Sequence, residues 1–80
     1  MGLLWFDNDP TRSIVTTVEE AARQYRKKFG IEPNTCYVNQ AVLNGQELTI
    51  PFEDRTLRVL PASNILANHF WIGKDDLIVK

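Results

Sequence analysis

The chain has 80 residues, the size of one small domain, so we expect residues 1–80 to fold around a single core. Hydrophobic residues make up 44% of the sequence and charged residues 24%, which argues against a disordered, collagen-like or disulfide-rich protein. Nine basic and ten acidic side chains leave a net charge of -1. That balance argues against nucleic acid or an anionic membrane as the main partner.

Cys36 is the only cysteine, so an internal disulfide is impossible. One cysteine and one histidine also supply too few ligands for a closed tetrahedral metal site, and the four glycines form no phosphate-binding loop. We therefore expect no metal and no cofactor. The N-terminal residues lack the basic region of a secretion signal, and every apolar run is far shorter than the roughly 18–20 residues that cross a bilayer. A cytoplasmic protein without a membrane anchor is predicted.

The first predicted elements are a short strand and a long helix. Residues 3–6 form an apolar run that ends in an Asp-Asn-Asp-Pro turn, which predicts a buried strand. Over residues 14–29, apolar side chains recur every three or four positions, which predicts an amphipathic helix. Gly30 follows three basic residues and marks the end of that helix. The candidates for its N-terminal cap are Asp9, Ser13, Thr16 and Thr17.

Residues 39–45 permit two interpretations. Asn39 can cap one helical turn that closes at Gly45, or Asn44-Gly45 can form the turn of a two-residue hairpin. We favour the helical turn, because residues 40–43 lack the polar alternation of a half-buried strand.

The remaining segments predict short strands. Strands are expected at residues 35–38, at 47–50 ending before Pro51, at 56–60, and at 69–73, with a loop over residues 61–64. Residues 77–79 predict either a last strand or a frayed tail.

These elements predict an α+β fold in which one amphipathic helix packs on a small, mainly antiparallel sheet, in the order β-α-β-β-β-β. A parallel sheet would need several crossover helices, and the pattern contains one. The face of the sheet beneath the helix is predicted to bury Leu57, Val59, Phe70 and Ile72 together with Tyr25 and Phe29.

The excess of aromatic residues outside the helix is the strongest indication of function. One helix can shield only one face of the sheet, and neighbours in a strand point to opposite faces. We therefore expect some large rings to remain exposed and to form a contact surface, either between two copies of the chain in a homodimer or with another protein. The candidate surface comprises Trp5, Phe70, Trp71 and His69. The alternative is that Trp5 and Trp71 cover opposite ends of the same core.

Two alternative functions depend on other residues. Cys36 and His69 would make a thiol or acid/base enzyme if they met within hydrogen-bonding distance, although a buried cysteine and a histidine bonded to a loop carbonyl is the simpler interpretation. Arg23, Arg26 and Lys27 on the helix would bind phosphate groups in a nucleic-acid accessory protein, although a solvated helix face explains them more simply. We favour a non-enzymatic protein with no catalytic residue.

One resemblance covers over half of the chain. It rests on a helix ending Tyr-Arg-Lys-Lys-Phe-Gly, a following Glu-Pro-Asn, a strand ending Val-Asn, a Leu-Pro pair and a closing Asn-His-Phe-Trp-Ile-Gly. In these features the segment 25–73 resembles a type of small, uncharacterised bacterial protein. The resemblance implies a bacterial or mobile-element origin and assigns no activity or catalytic residue.

Overall fold

The structure is a computed structural model that describes residues 2–74. Its elements in chain order are β1 (Gly2–Phe6), α1 (Ile14–Phe29), β2 (Thr35–Asn39), α2 (Gln40–Leu43), β3 (Leu48–Phe52), β4 (Arg55–Ala62) and β5 (His69–Gly73). The predicted α+β class and element order are confirmed. The strand or tail predicted at residues 77–79 lies outside the described residues.

The five strands form one mixed sheet in the order β1-β5-β2-β4-β3. Three neighbouring pairs are antiparallel, as predicted for a mainly antiparallel sheet, and the central pair β2-β4 is parallel. The parallel pair arises because the chain leaves β2 through α2, runs back along β3 and then enters β4 in the direction of β2. Among the strands of residues 2–74, β1 and β3 lie at the two edges of the sheet.

Helix α1 begins and ends at side chains and backbone groups suited to those positions. Of the four candidate caps, Ser13 is the one used, and its side chain accepts a hydrogen bond from the backbone N–H of Thr16 at 3.1 Å. Asp9 instead stabilises the preceding turn, where it accepts from the N–H and hydroxyl of Thr11. At the other end, Gly30 adopts the left-handed conformation with φ 70° and donates its N–H to the carbonyl of Arg26.

Residues 39–45 form the helical turn that we favoured, and the alternative hairpin is wrong. The side chain of Asn39 accepts a hydrogen bond from the N–H of Ala41, which caps α2. Asn44 and Gly45 have positive φ angles of 52° and 76° and end this helix rather than join two strands. The hairpin that does exist joins β3 to β4 around the two residues 53–54.

Two prolines lie inside strands that the sequence predicted to stop before them. Pro51 lies within β3 and Pro61 within β4. Proline cannot donate to a sheet, so it is tolerated where a strand has a neighbour on one side only. β3 is an edge strand, and β4 at Pro61 has passed the end of β3, whose pairing stops opposite Val59.

Strand alternation divides the sheet into a face covered by α1 and a face that α1 leaves uncovered. The predicted core is confirmed: Leu57, Val59, Phe70, Ile72 and Tyr25 are buried, and Phe29 is half-buried against them. Also buried are Val18, Ala21, Ala22, Cys36, Val38, Ile50 and Phe52. Leu3 and Trp5 of β1 pack against this core from the edge of the sheet.

Polar side chains attach α1 to the sheet at both ends of the helix. The carboxylate of Asp7, which follows β1, accepts a hydrogen bond from the hydroxyl of Thr17 at 3.0 Å. Near the C-terminal end of α1, Arg26 forms ion pairs with Glu32 and Glu53 and lies over the ring of Phe52. The helix is therefore held in a fixed position over one face only.

Candidate interaction surface

The face of the sheet opposite α1 presents a continuous set of apolar side chains. Pairing between strands places Leu4, Trp71, Tyr37 and Leu60 in one row across β1, β5, β2 and β4. Phe6 and His69 form the start of the adjacent row. We call these six residues the uncovered face: Leu4, Phe6, Tyr37, Leu60, His69 and Trp71.

Exposure on the uncovered face is greatest at β1. Leu4 is 60% exposed and Phe6 is 57% exposed, whereas the other four residues are half-buried. Aromatic rings continue inward from β1, since Phe6 and His69 have ring centroids 5.1 Å apart and Tyr37 and Trp71 have centroids 5.5 Å apart. Both pairs are tilted, the geometry in which ring edges meet ring faces. The result is an apolar surface that begins at the edge strand and extends to the middle of the sheet.

Gly2 explains how the large indole of Trp71 fits on this face. A Cβ atom at Gly2 would lie 2.2 Å from Cε2 of Trp71, so the ring occupies the space that any other side chain would fill. Trp71 thus extends from β5 across β1, and its ring covers the first residue of the edge strand.

A recess of about 370 Å³ opens beside Tyr37 and Trp71. Its other walls are Ala62 at the end of β4 and Asn64 and Ile65 in the loop that follows. The side-chain amide of Asn39 donates a hydrogen bond to the carbonyl of Ile65 at 2.9 Å and so holds this loop against β2. A larger cleft of about 550 Å³ lies elsewhere, lined by Glu32, Pro33, Asn34, Arg55, Thr56 and Lys74.

The four residues of the predicted surface divide between the two faces. Trp71 and His69 lie on the uncovered face, as neighbours of Leu4 and Phe6. Phe70 is 8% exposed beneath α1, and its neighbour Trp5 packs against the same core, so neither belongs to the uncovered face. This correction follows from strand alternation, which sends consecutive residues of β1 and β5 in opposite directions.

Sequence reasoning missed four residues of this surface: Phe6, and the three residues Leu4, Tyr37 and Leu60 of its main row. Leu4 and Tyr37 alternate with Trp5 and Cys36, so a correct assignment of the inward residues in β1 and β2 would have found them. Leu60 could be recognised in the same way from its neighbour Val59. What the sequence lacked was the order of the strands, which alone brings these three side chains into one row.

The structure does not bring Cys36 and His69 together. Cys36 is fully buried on the face beneath α1, and burial raises the pKa of its thiol to about 12. His69 lies on the opposite face, where its Nδ1 is 2.8 Å from the carbonyl oxygen of Ala67. The simpler interpretation of both residues is confirmed, and Cys36 and His69 do not form the pair on which the alternative of a thiol or acid/base enzyme depends.

The basic residues of α1 have different surroundings. Arg26 forms ion pairs with Glu53 and Glu32, and the hydrogen bond that its guanidinium donates to Glu53 is the main reason that its pKa is raised. Arg23 and Lys27 are exposed to solvent. Lys28 is also exposed and lies over the ring of Phe29, so Arg26 is the one basic residue of α1 that the structure shows in ion pairs.

Residues 2–74 contain no group of three or more side chains that could hold a metal ion. Within the same range, neither helix is both long and apolar enough to cross a membrane. No protein-family model, curated protein or solved structure was found to match the chain.

Proposed function

We propose that this protein is a non-enzymatic interaction module that self-associates through its uncovered face. One observation carries the proposal: Leu4 and Phe6 are each more than half exposed and continue into the rings of Trp71 and Tyr37. Single exposed apolar residues are common on soluble proteins, but a contiguous patch is typical of a contact surface.

The energetic gain from covering this patch is large for so small a domain. Fully burying one leucine or phenylalanine side chain contributes roughly 1.5–3 kcal/mol, so two half-exposed residues on each of two copies supply several kcal/mol together. A chain of 80 residues has a stability on the order of 4–12 kcal/mol. Association through the uncovered face would therefore stabilise the folded state appreciably.

Charge also favours a second copy over a charged partner. β1 contains no charged side chain, and within residues 2–74 the titratable side chain paired beside Phe6 on the uncovered face is that of His69. Two copies can therefore approach along this edge without placing like charges opposite each other. A strongly acidic or basic partner would find no complementary charge on β1.

Sedimentation equilibrium over a wide range of protein concentrations tests the proposal. We expect a concentration-dependent dimer for the natural sequence and a monomer for the Leu4→Glu and Phe6→Glu variants, because each places a charge in the buried contact. Leu66→Glu is the matched control, since Leu66 is 72% exposed and lies outside the uncovered face. A natural chain that stays monomeric, or a Leu66→Glu variant that dissociates as readily as Leu4→Glu, would contradict the proposal.

A further inference from the structure

We infer that the two copies join by antiparallel pairing of β1 with β1, which would extend the sheet from five strands to ten. This inference rests on the proposed function and limits the contact to the β1 end of the uncovered face, where Leu4 and Phe6 of the two copies lie side by side, while Tyr37 and Leu60 lie outside the contact. Two observations support it. The edge strands β1 and β3 differ in their ability to accept another strand, and the backbone groups of β1 that are not bonded to β5 point away from the sheet.

The two edge strands differ in their ability to accept another strand. β3 contains Pro51, which has no N–H to donate, and acidic residues lie close to both of its ends at Glu47 and Glu53. β1, with the sequence Gly-Leu-Leu-Trp-Phe, has neither a proline nor a charge, and the carboxylate of Asp7 that follows it is held by Thr17 and Arg12. Among the described strands it pairs with β5 alone. β1 is therefore the edge at which a further strand can be added.

The hydrogen bonds between β1 and β5 show which groups of β1 remain free. The N–H of Asp7 donates to the carbonyl of Asn68 at 3.0 Å, and these residues continue the register that pairs Phe6 with His69. Hydrogen-bonded and non-hydrogen-bonded pairs alternate along an antiparallel ladder. Leu3 and Trp5 consequently bond to β5, while the N–H and C=O groups of Gly2, Leu4 and Phe6 point to the free edge.

One register satisfies all of these groups. A two-fold axis relates the two copies when two identical β1 strands pair in antiparallel fashion. If this axis passes beside Leu4, Leu4 pairs with Leu4 of the second copy, and Gly2 pairs with Phe6 of the second copy. Each such pair exchanges two backbone bonds, which gives about six bonds in total. A shift of the register by two residues leaves part of the free groups without partners.

The side chains of β1 favour the same register. The space of a side chain at Gly2 is already taken by the indole of Trp71, so the ring of Phe6 from the second copy would lie beside that indole. The indole of Trp71 covers Gly2 and gives that ring an aromatic surface to pack against. On the other side of the sheet, Leu3 of one copy lies opposite Trp5 of the other, and both residues already border the core.

A disulfide-trapping experiment with the full chain tests this register. Leu4 lies opposite its own copy in a hydrogen-bonded pair, where Cα atoms are about 5.5 Å apart, a distance that a disulfide spans. We expect Leu4→Cys to form a covalent dimer under mild oxidation. Thr49→Cys is the matched control, because Thr49 is an exposed residue of the other edge strand. The natural chain is a second control, since its only cysteine, Cys36, is buried.

A proline variant supplies an independent measurement. The N–H of Leu4 points to the free edge, so Leu4→Pro should retain the circular dichroism spectrum of the natural protein but sediment as a monomer. Sedimentation separates the possible failures. Suppose that the natural chain is a dimer. The pairing of β1, but not self-association, would then be overturned by any of three results: Leu4→Cys fails to crosslink, Thr49→Cys crosslinks equally well, or Leu4→Pro folds and still dimerises. A natural monomer would overturn both proposals.

Discussion

Replacing Leu57 with alanine tests the division of the sheet into a buried and an exposed face. Leu57 lies on β4 opposite Ile50 of β3, and its side chain is fully buried under α1. The substitution removes buried methyl groups and leaves a cavity that a close-packed core closes only in part, so we expect a loss of about 2–5 kcal/mol. The stability of a chain this size is on the order of 4–12 kcal/mol, so this loss is a large share of the total.

The matched control is Leu66→Ala, which makes the same chemical change at a side chain that is 72% exposed. We expect its effect to stay within about 0.5 kcal/mol. Urea unfolding followed by circular dichroism measures both variants, and the Leu57→Ala midpoint should fall while the dependence on urea concentration stays the same. In thermal unfolding, each kcal/mol lost from the free energy of unfolding should lower the midpoint temperature by about 4–8 °C. Equal losses for the two variants, or a loss below about 1 kcal/mol at Leu57, would refute the assignment of faces.

Two further predictions concern the buried thiol and the start of α1. The Cys36 thiol should resist a disulfide reagent such as DTNB in the native protein at mildly alkaline pH and react fully in urea, and rapid native labelling would contradict its burial. Folding raises the pKa of the Cys36 thiol from 9.0 to about 12. The contribution of the protonated thiol to stability is therefore complete below pH 9 and is lost as the pH rises toward 12. Urea unfolding midpoints measured across that pH range would show this loss. Ser13→Ala should lower the free energy of unfolding by about 1 kcal/mol, because it removes the acceptor for the N–H of Thr16, whereas Ser13→Asp should retain most of it; equal losses in the two variants would show that the cap is unimportant.

The sequence predicted local structure well where that structure depends on the spacing of apolar residues or on a glycine that ends a helix. The apolar spacing of residues 14–29 and the glycine at position 30 correspond to α1 and its end as the structure has them. Alternation in β4 and β5 correctly identified Leu57, Val59, Phe70 and Ile72 as core residues. These predictions succeeded because helix and strand periods depend on neighbours within a few residues.

Predictions failed where the outcome depends on a strand's position in the sheet. Pro51 and Pro61 were expected to end strands, yet a proline is tolerated wherever the strand lacks a neighbour on the side of the missing donor. The sequence near each proline does not say which strands will lie beside it. The parallel pairing of β2 with β4 escaped prediction for the same reason.

The candidate surface shows the same limit. That one helix leaves aromatic rings on the other side of the sheet follows from the sequence alone, because side chains alternate and only one amphipathic helix is present among the predicted elements. Which rings these are was decided by tertiary structure. Strand order placed Trp71 between Leu4 and Tyr37, since residues far apart in the chain become neighbours only when the sheet is assembled.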